Sequence, residues 1–364
     1  MNLVFIWYNM ATAAGNDTFT NVASFEWCHE MPKVELHAHL GGSVRSATLI
    51  ELAGKEASEI EEVLKVTRFS VNEWAADVES HASRLSHCFR LFDVIHRLTA
   101  DLHVIERVAR EVVEDFANDR VVYLELRTTP RSIGGATRSA YVDAVLAGIR
   151  SSLAWQAGSI SVRLLLSIDR KMTLDEAVEV LELAKAYASD VVGLDLAGNP
   201  CVGEFKDWLT VLEHARQSGL NVTLHCGELN NEDEALAMIR FRPGRLGHCV
   251  RIRRDGQAWK ELLASKIPIE VCLTSNKMSE SVPSYDGHPV KDWLAAQHPV
   301  SINTDDKGVF NTSASLEHWI LAKTFGLTKA ELLEVSERAV AGIFADDSEK
   351  ERLRDLFCLE RQRL

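Results

Sequence analysis

The chain has 364 residues, 46% of them hydrophobic, with 40 Lys plus Arg against 53 Asp plus Glu for a net charge of −13. That length and apolar content suffice for a large core, and the acidic excess argues against nucleic acid or a membrane surface as partner. The seven cysteines include no CxxC pair, as expected of reduced thiols in a cytoplasmic protein, and no apolar run approaches the roughly 18 residues of a membrane span.

In chain order, "MNLVFIWYNMATAAG" (1–15) opens with a short apolar run but lacks the basic residues of an export signal. Residues 1–30 are therefore expected to form an extension without fixed structure, and 31–364 a single domain, since no Pro-, Gly- or Ser-rich linker interrupts them. "KVELHAHLGGS" (33–43) reads as a strand that puts His37 and His39 on one face and then runs into a glycine pair. The stretch 44–118 is mostly helical in pattern. From 120 onward one unit repeats: a short β-branched or leucine-rich run ending in polar residues, then a longer stretch with helical spacing.

The runs are "VVYLELRTT" (121–129), "VRLLLSID" (162–169), "VVGLDLAG" (191–198), "NVTLHCGE" (221–228), "RLGHCV" (245–250), "IPIEVCLTSN" (267–276) and "VSINTDD" (300–306). With 33–39 they make eight strands. Between them, 173–188 and 207–219 carry apolar residues at i, i+3 and i+4, the pattern of amphipathic helices. Eight strands alternating with helices predict a (β/α)₈ TIM barrel with a helical insertion after the first strand, rather than an open doubly wound sheet.

Reactive groups in such a barrel gather at the C-terminal ends of the strands. His37, His39, Thr128 to Arg131, Asp169, Gly198, His225, Glu228, His248, Thr274 to Asn276, Asp305 and Asp306 all fall there. His37 and His39 share a strand face, His225 ends the fifth strand and Asp305 the eighth. Together they make a His₃Asp set with a position left for water, as a catalytic zinc site requires. Taken singly, each histidine is as readily a hydrogen-bonded core residue; their joint placement favours a metal centre. Glu228 and His248 are the groups placed to move or steer protons beside it. Asp306 either hydrogen-bonds a substrate heteroatom or caps the helix that follows.

The segments "PKVELHAHL", "HCGE", "RLGHC", "EVCLTSN" and "TDD", in that order over roughly residues 31 to 345, resemble the adenosine deaminase family. "LFDVIHRLT", "YLELRTTPR", "LLLSIDR", "GLDLAGNP", "VPSYDGH" and "TDDKGVF" are most similar to its adenosine deaminase-like branch, the N6-methyl-AMP deaminases. The resemblance implies one zinc ion on His37, His39, His225 and Asp305. It implies that Glu228 protonates the purine N1, that His248 positions and deprotonates the water, and that Asp306 binds the purine. Further substrate contacts are implied from His39, His96, Thr128, Thr129, Pro130, Arg131, Asp169 and Gly198.

The family's adenosine-specific members usually carry Asp after the His-Leu pair, and the methyl-AMP branch usually carries Asn; this chain has Gly41. The missing carboxylate favours a nucleotide, because Asp there would repel a 5′-phosphate. Arg131, flanked by the hydroxyls of Thr128 and Thr129, is the group expected to hold that phosphate. The expected reaction converts N6-methyl-AMP to IMP and methylamine, with adenosine or AMP as alternative substrates. A monomer acting on a small-molecule purine nucleotide is expected. Two rivals stand beside it. A two-metal hydrolase of the same barrel type would need a carboxylated lysine on strand four, where "VVGLDLAGNP" has none. A non-catalytic purine-binding protein would have no need of Glu228, His248 and all four ligands together.

Overall fold

The computed structural model describes residues 22–58 and 91–364. Eight parallel strands follow one another in sequence order around a barrel: β1 Lys33–His39, β2 Val121–Thr128, β3 Ser161–Asp169, β4 Val191–Ala197, β5 Asn221–Cys226, β6 Arg245–His248, β7 Ile269–Val271 and β8 Val300–Ile302. Every residue of β2 is buried, as an all-parallel barrel clad in helices requires. The two expected helices form over Leu174–Ala186 and Phe205–Gln217. Thr173 and Glu176 close the first with a capping box, each side chain meeting the other's backbone N–H.

β7 and β8 are only three residues each, so the seam from β8 to β1 is closed largely by other means. Asp305 steps out of the strand at φ +60° and pairs its backbone with β1, donating N–H to His37 O at 2.8 Å and accepting from His39 N at 3.0 Å. Side chains finish the seam: Asn303 Oδ1 accepts from Leu36 N at 2.9 Å, and Glu35 Oε2 accepts from Thr304 N at 3.0 Å.

Four of the expected strands end early by more than one residue, among them 221–228 at Cys226 and 300–306 at Ile302. The run 267–276 is a strand only to Val271, and Leu273–Met278 turns into a helix. Buried Glu317 sits at its first turn and accepts from Thr274 N at 3.1 Å, satisfying one of the N–H groups that a helix start leaves unpaired. The run 245–250 ends at His248, which with Cys249 takes positive φ, +62° and +58°.

The segment expected to be an unstructured extension is partly built in. Residues 1–21 lie outside the described residues, but Val22 bridges Thr328 and Phe25–Glu30 is a helix capped by Ser24. The wholly buried Lys33 holds that helix to the barrel, donating to Cys28 O at 2.7 Å, Met31 O at 2.8 Å and His29 O at 3.3 Å. Burial pulls this ammonium down to about 8. Lys33→Met takes this donor from all three carbonyls and should cost about 3 kcal/mol, read as a lower midpoint in urea unfolding; an unchanged midpoint would mean that water replaces the ammonium.

Of the insertion after β1, Ser46–Ala53 and Leu102–Asn118 are helices and 91–98 is helical, while 59–90 lies outside the described residues. Among the described residues no helix is long and apolar enough to cross a membrane. None of the six described cysteines is in a disulfide.

Candidate active site and metal centre

β1 ends with His37 and His39 turned to the same side, and the seam brings Asp305 against both: its Oδ1 lies 3.3 Å from each Nε2. His225, from the end of β5, puts its Nε2 3.3 Å from that of His39. One ligand atom from each of the four residues lies within 4.8 Å of the other three. Carboxylates behind the cluster set the ring tautomers. Glu270 Oε2 accepts from His37 Nδ1 at 2.6 Å, and Asp195 Oδ1 accepts from His225 Nδ1 at 3.0 Å. Each ring therefore turns a bare Nε2 lone pair inward, and that of His37 is fully buried with no hydrogen-bond partner. Imidazole lone pairs and a carboxylate oxygen crowded together this way repel one another unless a cation lies among them. The residues fit a metal ion with nitrogen and oxygen ligands.

Glu270 and Asp195 were not singled out from the sequence, nor was Arg127, whose buried guanidinium lies 2.9 Å from Glu270 Oε2 and 3.2 Å from Asp195 Oδ1. Arg245 joins Glu270 to Glu125 on the side away from the metal cluster. Asp195→Asn removes the acceptor charge behind His225 and should weaken metal affinity about 10- to 100-fold. Competition with a chelator would measure it, and an unchanged affinity would show that Asp195 does not orient the ligand.

The cluster forms the floor of a cavity of about 360 Å³, in the range of small-molecule sites. His39, His96, Thr128, Thr129, Arg131, Asp169, Gly198, His225, Glu228, His248, Asp305 and Asp306 all line it. Pro130, expected among the contacts, is not in this lining; its carbonyl instead accepts from Arg138 Nε at 3.3 Å. Phe92, Tyr141, Lys171 and Phe310 line the wall as well and were not foreseen. The Arg131 guanidinium bonds His96 O, Thr99 O and Thr99 Oγ1 at 3.0, 3.0 and 2.7 Å, pinning the end of the 91–98 helical segment over the cavity. These bonds use three of the five N–H groups of the guanidinium.

His248 Nε2 stands 4.0 Å from both Glu228 Oε1 and Asp305 Oδ2. Ser275, on the helix after β7, donates to Asp305 Oδ2 at 2.6 Å and fixes that carboxylate. Burial raises the Glu228 carboxyl above its ordinary value, with His225 opposing and Asp305 reinforcing the shift. Burial, and then the charge of Asp305, push the Asp306 carboxyl well above its ordinary value. Asp306 packs directly on the glycine pair: a Cβ on Gly42 would collide with its Oδ1. Gly41, by contrast, has nothing within 4 Å of where a Cβ would stand.

Over residues 32–358 the chain matches the adenosine deaminase family. It is 41% identical over 363 residues to the N6-mAMP deaminase of Arabidopsis thaliana, covering 91% of this chain and 98% of that protein. It is 38% identical over 337 residues to the N6-methyl-AMP deaminase of Bos taurus, covering 89% and 93%. The crystal structure of Arabidopsis ADAL complexed with IMP has a TM-score of 0.84 to this chain at 40% identity, covering 93% of this chain and 99% of that one. With its eight-stranded barrel and its His₃Asp metal site at the strand ends, this chain belongs to the adenosine deaminase family.

Proposed function

We propose that the chain hydrolyses N6-methyl-AMP to IMP and methylamine, with one zinc ion held by His37, His39, His225 and Asp305. The observation that carries this reading is a cavity onto which three of the four ligand residues, His39, His225 and Asp305, open together with Glu228 and Asp306, in a chain 41% identical to an N6-mAMP deaminase. The IMP bound by the Arabidopsis relative is the product this reaction would release.

When bound, zinc supplies a Lewis acid that brings the pKa of water toward ~7 and makes it a nucleophile at neutral pH. The side chains do the rest. Glu228, whose carboxyl burial raises above its ordinary value, gives a proton to N1 as the water oxygen bonds to C6. Asp306 hydrogen-bonds a ring nitrogen and holds the purine in plane. His248, its Nε2 4.0 Å from Asp305 Oδ2, orients the reacting oxygen. The two protons of the water are passed on, one restoring Glu228 and one going to N6, so that the C6–N6 bond breaks with its electron pair leaving on neutral methylamine and the ring becomes hypoxanthine. Arg131, His96 and Lys171 place positive or hydrogen-bonding groups on the cavity wall, where they support a 5′-phosphate.

The test is turnover of N6-methyl-AMP, AMP, N6-methyladenosine and adenosine by purified protein of measured zinc content, followed by the ultraviolet shift to the hypoxanthine ring. N6-methyl-AMP should have the highest kcat/KM. Adenosine as the best substrate would overturn the nucleotide reading, and zinc-loaded protein inert on all four would overturn the enzyme reading.

A further inference from the structure

The helix Leu273–Met278 and the turn after it carry two buried polar side chains, Asn276 and His288, that the mechanism above does not use. They form a directed chain of hydrogen bonds. It starts from a group whose polarity cannot change, the backbone N–H of Val290, which donates to His288 Nδ1 at 3.1 Å. The His288 Nδ1 is therefore an acceptor. Burial, with Arg254 nearby, holds this imidazole down at about 3, so it is neutral and its one proton sits on Nε2.

His288 Nε2 is 3.1 Å from Asn276 Oδ1, and a donor there orients the amide with its oxygen toward His288. The amide nitrogen then faces the other way, 3.0 Å from His248 Nδ1, and an NH₂ group has only protons to offer. The His248 Nδ1 must accept, which leaves its proton on Nε2. That nitrogen faces the metal cluster, 4.0 Å from Glu228 Oε1 and from Asp305 Oδ2. The positive φ of His248, +62°, aims the ring between the relay and the cluster.

We infer that Val290, His288 and Asn276 form a relay that locks His248 in its Nε2–H form, so that His248 donates a hydrogen bond to the reacting oxygen rather than removing a proton from it. This refines the part of His248 in the deamination proposed above and rests on that reading for its catalytic consequence. His288 and Asn276 are positioning residues, since both act through His248.

The assignment can be read without turnover. In protein labelled with ¹⁵N-histidine, with and without zinc, His248 should show Nε2 in the protonated range and Nδ1 in the bare range, its signals assigned by their loss in His248→Gln. Asn276→Asp is nearly isosteric and reverses the last link. A carboxylate accepts from His248 Nδ1–H, the two nitrogen signals should exchange places, and kcat should fall about 100-fold while KM stays within a few-fold of wild type. His288→Gln, whose amide can accept from Val290 and donate to Asn276, should recover most of the rate that His288→Leu loses. A wild-type enzyme that turns over N6-methyl-AMP with His248 protonated on Nδ1 would overturn the relay. So would an Asn276→Asp enzyme with unchanged kcat. Protein inert on every purine yet showing the Nε2–H signal would overturn the deaminase reading and leave the tautomer assignment standing.

Discussion

Glu228→Gln should retain zinc and lose about 10²- to 10⁴-fold in kcat, the span that a positioned general acid contributes. The two side chains have the same shape and reach, so the cavity and the ligand cluster are undisturbed; what disappears is a proton that can be given up. Glu228 lies on the cavity wall and is not among the four ligands, and burial raises its carboxyl so that the protonated form persists further toward neutral pH than on an exposed glutamate. The loss should fall on kcat, with KM for N6-methyl-AMP changed far less, because the N1 proton matters most as C6 becomes tetrahedral. Metal analysis together with steady-state kinetics decides it. A variant that keeps its zinc and runs near the wild-type rate would assign the proton to another group.

The second large effect is one of selectivity. Gly41→Asp meets no steric obstacle, since a Cβ there has nothing within 4 Å, and it places a carboxylate on the cavity lining to which Gly41 belongs. A unit charge about 6 Å from a phosphate charge, at an effective dielectric near 20, costs about 3 kcal/mol. The variant should therefore lose about 100-fold in kcat/KM for N6-methyl-AMP, while N6-methyladenosine, which has no phosphate, should lose little. Measuring both substrates on both proteins separates repulsion from damage. Equal losses would show that the substitution merely disrupts the loop, and no loss on the nucleotide would place the phosphate elsewhere in the cavity. Gly42 is the opposite case, because any side chain there displaces Asp306.

The barrel and its metal ligands were legible because both are local signals. Apolar runs at regular intervals mark the strands, two histidines at i and i+2 share a strand face, and barrel geometry brings distant strand ends to one rim. The groups behind the ligands were missed, although "LELR", "GLDLAG" and "PIEVC" each carry a charge inside an apolar strand. What gives Arg127, Asp195 and Glu270 meaning is their contact across the barrel interior, from β2 to β4 and from β2 to β7, and no sequence interval encodes that distance. The strand expected over 267–276 failed for a similar reason. Its second half is helical because Glu317, some forty residues later, satisfies the helix start. Arg131 was read as a group that bonds a phosphate; its engagement with His96 and Thr99 depends on how the insertion folds back over the cavity.

The bend at Asp305 has a consequence for durability. One residue both stitches β8 to β1 through its backbone and reaches into the ligand cluster with its carboxylate. Stripping the ion should therefore loosen the barrel at its shortest strands first, with amide exchange quickening along 300–306 before it does along β2 to β4. Heat tolerance should then track ion occupancy, gaining about 4 kcal/mol when free metal stands a thousandfold above its dissociation constant, so that a melting curve serves as a gauge of how much of a preparation is competent.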